Sequence, residues 1–257
     1  ARRQRQMCIR DRGRAERARQ AARLRAARER ETRVAEALAR LPELEAIKRR
    51  QGKAADQARA STTDAQATVM KMGDGGFRPA YNPQLASDVD SLVIVGVEVA
   101  TIGSDQGQMV PMIEQVRERC GQTPEAWLVD GGFVGHEQVE QASAHTTVYG
   151  PVPAAKDKAV DPHQPKPDDS PGVAAWRARM GTDEAKAIYK NRAATAECVN
   201  AHSRNRGLQQ FRVRGLAKVK CVVLFFALAH NLMRMASLAP EMLAFGKGAS
   251  AVSGIGA

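Results

Sequence analysis

Between residues 81 and 152 the chain alternates short β-branched runs with amphipathic helical stretches, and that order restricts its fold more than any other feature. YNPQLAS (81–87) and SLVIVGVEVAT (91–101) have strand composition, with Asp88-Val89-Asp90 between them as a turn. They read as an antiparallel hairpin, preceded by another turn at Gly75-Gly76. SDQGQMVPMIEQVRERCG (104–121) reads as a helix. Ser104 or Asp105 is its expected cap, Met109, Met112, Ile113 and Val116 its apolar face, and Gly121 its stop. EAWLVD (125–130) is a short buried strand, HEQVEQAS (136–143) a helix and TTVYGPV (146–152) a further strand. Strand, helix, strand, helix, strand predicts parallel pairing after an antiparallel start, hence an α/β fold.

The flanking segments have different compositions. Residues 13–58 are rich in Ala, Arg and Glu, with Leu24, Val34, Ala37, Leu38 and Leu41 at helical spacing. Pro42 is expected to divide this stretch into two helices. The apolar stripe is thin, so the helix is a solvated linker or needs a partner, either DNA or a second copy of this chain in a homodimer. Ahead of it, MCIRDR (Met7–Arg12) is what translation of a mosaic-end sequencing adapter yields, so residues 1–12 are expected to be an assembly artefact replacing the true N-terminus. Residues 151–171 hold six prolines and a run of charges, which predicts an exposed, mobile insertion. Helical pattern resumes at 173 and continues to about 206 with a break at Gly181, and a last helix covers 217–238. CVVLFFALAHNLM (221–233) is short for a membrane span and contains His230 and Asn231, so it reads as a buried core helix and no membrane partner is expected. Residues 239–257 are expected to be a flexible tail. Cys8, Cys120, Cys198 and Cys221 show neither CxxC spacing nor a paired pattern, which points to reduced thiols in a cytosol.

Charge is unevenly spread. Residues 1–60 carry 19 basic and 8 acidic side chains, residues 61–176 carry 7 and 16, and residues 177–220 carry 11 and 3. An acidic middle between basic segments suits a protein that collects metal ions and holds a polyanion around them, although a solvated charged surface gives the same balance. Three acids stand out: Asp64 in STTDAQATVMK, Asp130 at the end of the AWLVD run, and Glu197 on a helix crowded with basic residues. Such a set suits a divalent-metal site acting on a phosphodiester. Each acid has a plainer reading. Asp130-Gly131-Gly132 would end a strand in a turn, Glu197 would balance Arg192 and Arg204, and Asp88 rivals Asp64 while Asp74 sits in a turn. At 100° per residue, Arg204 falls within about 20° of Glu197 and Tyr189 about 80° away. Arg192, Arg204, Arg206, Arg212 and Arg214 are candidate phosphate contacts. Trp127 and Trp176 read as packing residues, with stacking on an unpaired base the alternative for Trp176.

Taken together, STTDAQATVMKMGDGGFRPAYNPQLASD, AWLVDGGF, the trio Tyr189, Arg192 and Glu197, and RGLQQFRVRGLAKVKCVVLFFALAHNLMRM resemble the DDE-class transposases of bacterial insertion sequences. The resemblance covers roughly residues 61–238. It implies an RNase H-like domain with a mixed five-stranded sheet flanked by helices, preceded by an α-helical linker at 13–60. It also implies Asp64, Asp130 and Glu197 as catalytic carboxylates and ligands of two Mg²⁺ ions, with Mn²⁺ as a substitute and no small-molecule cofactor. Tyr189 and the five arginines would lie on DNA. The partners would be element ends and target DNA, and the setting the bacterial cytoplasm at the nucleoid. The chain departs from the pattern in three places. Thr63-Asp64-Ala65-Gln66-Ala67-Thr68 stands where T-D-P-D-A-R is common, Arg192 and Glu197 are one residue further apart than in many relatives, and Arg204 stands where a Lys is usual. The alternative is therefore a degenerate, non-catalytic DNA-binding remnant.

Overall fold

The computed structural model describes residues 2–50, 52–155 and 157–240. The chain divides into two units, residues 1–81 with 213–216, and residues 82–212 with 217–257. Of the tail expected at 239–257, residues 241–257 lie outside the described residues.

The first unit begins with α1, Arg2–Arg50, a single helix that runs straight through Pro42. The expected division is therefore corrected. Proline removes one backbone hydrogen bond, but packing on both sides of it outweighs that loss. Ala37, five residues before it, and Leu44, two residues after it, are buried, and Arg40 reaches across to the Ala65 carbonyl at 2.6 Å and Thr68 Oγ1 at 3.2 Å. From residue 14 to residue 32 the same helix is exposed on every side. A 3₁₀ turn at Ala55–Gln57 follows, then β1 (Thr68–Lys71) and β2 (Phe77–Ala80). These pair antiparallel through the turn at Gly75, whose φ of 82° favours glycine, as the Gly75-Gly76 pair predicts.

The second unit carries β3 (Asn82–Ser87), β4 (Ile94–Ala100), α2 (Met109–Cys120), β5 (Ala126–Leu128), α3 (His136–Ser143), β6 (Thr147–Tyr149), α4 (Pro171–Met180) and α5 (Asp183–Asn205). Most of α6, Leu216–Leu238, also belongs to it. β3 and β4 form the expected antiparallel hairpin, and β5 and β6 pair in parallel. α2 buries the predicted Met109, Met112, Ile113 and Val116, and ends at Gly121 with φ 71°. Its approach to β4 is so close that a Cβ on Gly96 would stand 2.5 Å from Met112 Sδ. The main core gathers Met109, Ile113, Val129, Val139, Val148, Val173, Trp176 and Met180. Trp176 is fully buried and donates its indole N–H to the Gly150 carbonyl, so it packs and does not stack on a base.

Three expectations need correction. The described strands form three separate two-stranded sheets, not one five-stranded sheet. A physical cause lies along β4. Asn231 takes both backbone groups of Ile94, Gln115 accepts from the Val97 N–H, and Glu98 accepts from the Val99 N–H, so side chains occupy bonds another strand would need. The proline-rich segment is irregular as expected, but it is anchored. Asp169 and Arg177, both nearly fully buried, pair at 2.7 Å, and Arg177 also binds the Pro162 carbonyl and contacts His136 Nε2. Finally, α6 is not a wholly buried helix. Val219, Val223, Ala227 and His230 form one buried face, whereas Leu224, Phe225, Leu228, Leu232 and Met233 are exposed. By length and composition this helix would suffice to cross a membrane. Its polar residues nevertheless clamp the β3–β4 turn: His230 Nε2 on the Leu92 carbonyl, Asn231 on Ile94 and Arg234 on the Ser91 carbonyl.

Candidate active site

A cleft of about 870 Å³ lies within the second unit. Its walls include β3, α2, β5 and one face of α5, and Asp105, Asp130, Arg192 and Arg204 line it. Asp130 arrives there because Val129 makes the last bond of the β5 edge, its N–H to the Tyr149 carbonyl, after which the chain turns. Asp130 Oδ1 accepts the Gly132 N–H at 2.9 Å, and Oδ2 lies 4.0 Å from the Arg192 guanidinium. Arg192 in turn sits over the Tyr189 ring, 5.7 Å from its centre. The strand-ending turn and the cleft position thus coexist at one residue.

Asp105 is the residue that sequence reasoning placed elsewhere. It does not cap α2, whose N-cap is Gln108 with no side-chain cap bond. Instead its Oδ1 accepts from both the Asn82 and Gln84 side-chain amides, at 2.8 and 2.7 Å. A Cβ built on Gly132 would stand 3.0 Å from Asp105 Oδ2 and 3.1 Å from Asp130 Oδ1. The two carboxylates therefore flank one small gap that exists because residue 132 is glycine. A signal was available in the sequence: Asp105 follows β4 as Asp130 follows β5, and crevices beyond the carboxyl ends of strands collect ligand-binding groups.

The gap supplies hard oxygen donors with amide-held orientation, a donor chemistry that fits Mg²⁺ or Mn²⁺ better than zinc. Two carboxylates suffice for an ion that keeps several waters. Among the described residues, no three His, Cys, Asp or Glu side chains gather as a ligand set.

The remaining predicted residues lie as follows. Glu197 is exposed on α5, its side chain makes no hydrogen bond or ion pair among the described residues, and it is not among the residues lining the cleft. It is about 100° round the helix from Ala196, which does line it. Asp64 belongs to the first unit. There its Oδ2 accepts from Tyr81 Oη and the Gly215 N–H, both at 2.8 Å, and its Oδ1 accepts the Gln66 N–H. Burial first, and then the Asp64 carboxylate, push the Tyr81 phenol well above its ordinary pKa. Asp88 has its Oδ2 engaged by the Ser91 hydroxyl and amide, which hold its carboxyl below the usual range. Asp74 likewise serves the Gly75 turn, bonded to Gly76 and Arg78. Arg206 is exposed on the side of His230, 3.5 Å from its Nδ1. Arg212 is exposed in the second unit and Arg214 in the first.

Gln66 and Thr68 occupy the positions where the sequence departs from T-D-P-D-A-R. Gln66 Oε1 accepts the Leu216 N–H at 2.6 Å, and Thr68 Oγ1 accepts from Arg40. Both positions thus retain a hydrogen-bonding role despite the lost charges.

No curated protein and no solved structure matches this chain. Residues 163–236, from the proline-rich segment through α4 and α5 into α6, match the family described as the transposase DDE domain.

Proposed function

We propose that this chain is the core of a DDE-type DNA transposase, which cuts the ends of an insertion element and joins them to target DNA. The observation that carries the reading is the family match over 163–236, because that stretch includes Tyr189, Arg192, Glu197 and the α5 wall of the acid-lined cleft. Asp130 is the central acid, with Asp64 and Glu197 as the other two carboxylates indicated by the sequence motifs and Asp105 beside Asp130. Asp105 and Asp130 would hold a divalent ion in the gap at Gly132. When bound, Mg²⁺ or Mn²⁺ supplies Lewis-acid neutralisation of charge at the phosphoryl oxygens, and two such ions would serve both cleavage and strand transfer. Arg192 orients Asp130 and presents a cation to the scissile phosphate, while Arg204 offers a second cation further along the cleft. Arg206, Arg212 and Arg214 supply phosphate contacts that position DNA without reading its sequence. The enzyme would work in the bacterial cytoplasm, on nucleoid DNA.

The second reading is a DNA-binding remnant without catalysis. It is favoured by Ala65, Gln66 and Thr68 replacing the residues usual beside the first acid. The test is a strand-transfer assay with a donor bearing the DNA that flanks this reading frame. Metal-dependent joining of donor ends to a target plasmid supports the transposase. DNA binding with neither cleavage nor joining supports the remnant.

A further inference from the structure

We infer that the exposed part of α1, residues 14–30, is a docking surface for duplex DNA that lies in the major groove and clamps both phosphate backbones. The inference rests on the DNA-directed function proposed above and adds a surface to it, outside the cleft.

Seven arginines occupy this stretch, and all are exposed. At 100° per residue they fall into two rows. Arg14, Arg17, Arg25 and Arg28 share one arc, and Arg19, Arg23 and Arg30 share another, centred about 180° away. Between the rows, on one side, lie Ala15, Ala18, Ala22 and Ala26, which are all exposed and carry no bulk, together with Glu29 near the end of the stretch, whose carboxylate is paired with Arg33 at 3.9 Å. The other side between the rows carries Glu16, Gln20 and Leu24, with Glu31 just beyond the stretch; among the described residues neither carboxylate has an ion pair, so both disfavour approach to DNA. The major groove is about 12 Å wide and admits a helix of about 10–12 Å diameter. A helix seated there with its alanine face toward the base edges would point its two arginine rows at the two backbones. Residues 14–30 span about 24 Å, or about seven base pairs.

Charge pairing along α1 supports the same partner. Arg33, Arg40 and Arg49 each pair with a glutamate one turn away, Glu29, Glu43 and Glu45. Among the described residues, none of the seven arginines from 14 to 30 has an ion pair, and this stretch makes no buried apolar contact. Seven unpaired guanidinium groups on a helix without an apolar seam leave a polyanion as the fitting counter-surface, and Leu24 alone does not make a protein–protein stripe. Duplex DNA fits better than duplex RNA, whose deep, narrow major groove excludes a helix.

The test uses the full chain without divalent metal and follows its binding to a fluorescent duplex by anisotropy at rising NaCl, with RNA of the same sequence as comparison. Replacing all seven arginines with Gln preserves helix propensity. It should reduce the slope of log K against log salt by about 0.9 per phosphate contact, or about 6 if all seven engage. Ala22→Phe, on the groove-facing side, should weaken binding, whereas Ala27→Phe, on the opposite side, should leave it unchanged. An unchanged slope in the sevenfold variant overturns the inference, as does equal weakening by the two phenylalanines or equal binding of RNA. Plasmid nicking in Mg²⁺ separates the two failures: nicking retained with an unchanged salt slope refutes this surface alone, whereas absent binding and absent nicking by the parent chain refute both readings.

Discussion

Gly132→Ala should separate the fold of this protein from its chemistry. The new methyl would stand 3.0 Å from Asp105 Oδ2, 3.1 Å from Asp130 Oδ1 and 3.5 Å from Asp105 Cβ. Each carboxylate oxygen must then give way by a few tenths of an ångström, and the gap between them fills with hydrocarbon. The fold should hardly notice. Gly132 is exposed and does not have a positive φ, so alanine is allowed there. Restricting the unfolded chain contributes about 0.4–1 kcal/mol of stability, which offsets the contact cost. We therefore expect unfolding free energies within about 1 kcal/mol of the parent. Binding of Mn²⁺, followed by the loss of its free-ion electron paramagnetic resonance signal, should fall about 10–100-fold, as when groups that orient metal ligands are disturbed. Gly131→Ala is the control, because its Cβ would meet only Pro151 Cγ at 3.4 Å, an ordinary contact. Gly132→Ala binding Mn²⁺ as tightly as the Gly131→Ala control would refute the assignment of this gap.

Two further predictions concern the framework. Arg177→Ala strips the partner from a buried Asp169 and frees the proline-rich segment, so it should cost about 3–5 kcal/mol in urea unfolding; a loss under 1 kcal/mol would contradict the anchoring described. Burial holds the His230 imidazole below its ordinary pKa, with Arg206, His202 and Arg234 opposing its charge. The unfolded chain therefore binds this proton more readily, so stability is full above about pH 6.5 and falls as the pH drops through that value toward the folded pKa. His230→Gln should flatten that part of the melting-temperature profile, and an unchanged profile would remove His230 as its source.

Local patterns were legible in the sequence where one element's own periodicity sets the outcome. The α2 face Met109-Met112-Ile113-Val116, the stop at Gly121, the β3–β4 hairpin and the break near Gly181 all follow from spacing and turn chemistry within a few residues. Features set by distant partners were not legible. Pro42 stays helical because Arg40 and the buried Ala37 and Leu44 hold its flanks, and Asp105 leaves its capping role because Asn82 and Gln84 offer it amide donors from β3. The expected long sheet gave way to side chains of α2 and α6 capping β4. At the site, Asp130 lies 4.0 Å from Arg192, a pairing the motifs did not state, whereas Glu197 does not line their cleft, and Asp64 is held by bonds within the other unit. Helical angles place Glu197 beside Arg204, yet of the two only Arg204 lines the cleft, so the angle alone could not say which side chain reaches it.

The central claim is that Asp130 and its neighbours form a metal-dependent phosphodiester site. Its most direct measurement is nicking of supercoiled plasmid in Mg²⁺ or Mn²⁺ by the parent chain and by Asp130→Ala, with Asp88→Ala as the turn-residue control. We predict metal-dependent nicking by the parent and by Asp88→Ala, and a loss of at least about 100-fold in Asp130→Ala. Nicking that persists in chelator, or that Asp130→Ala performs as well as the parent, would contradict the account.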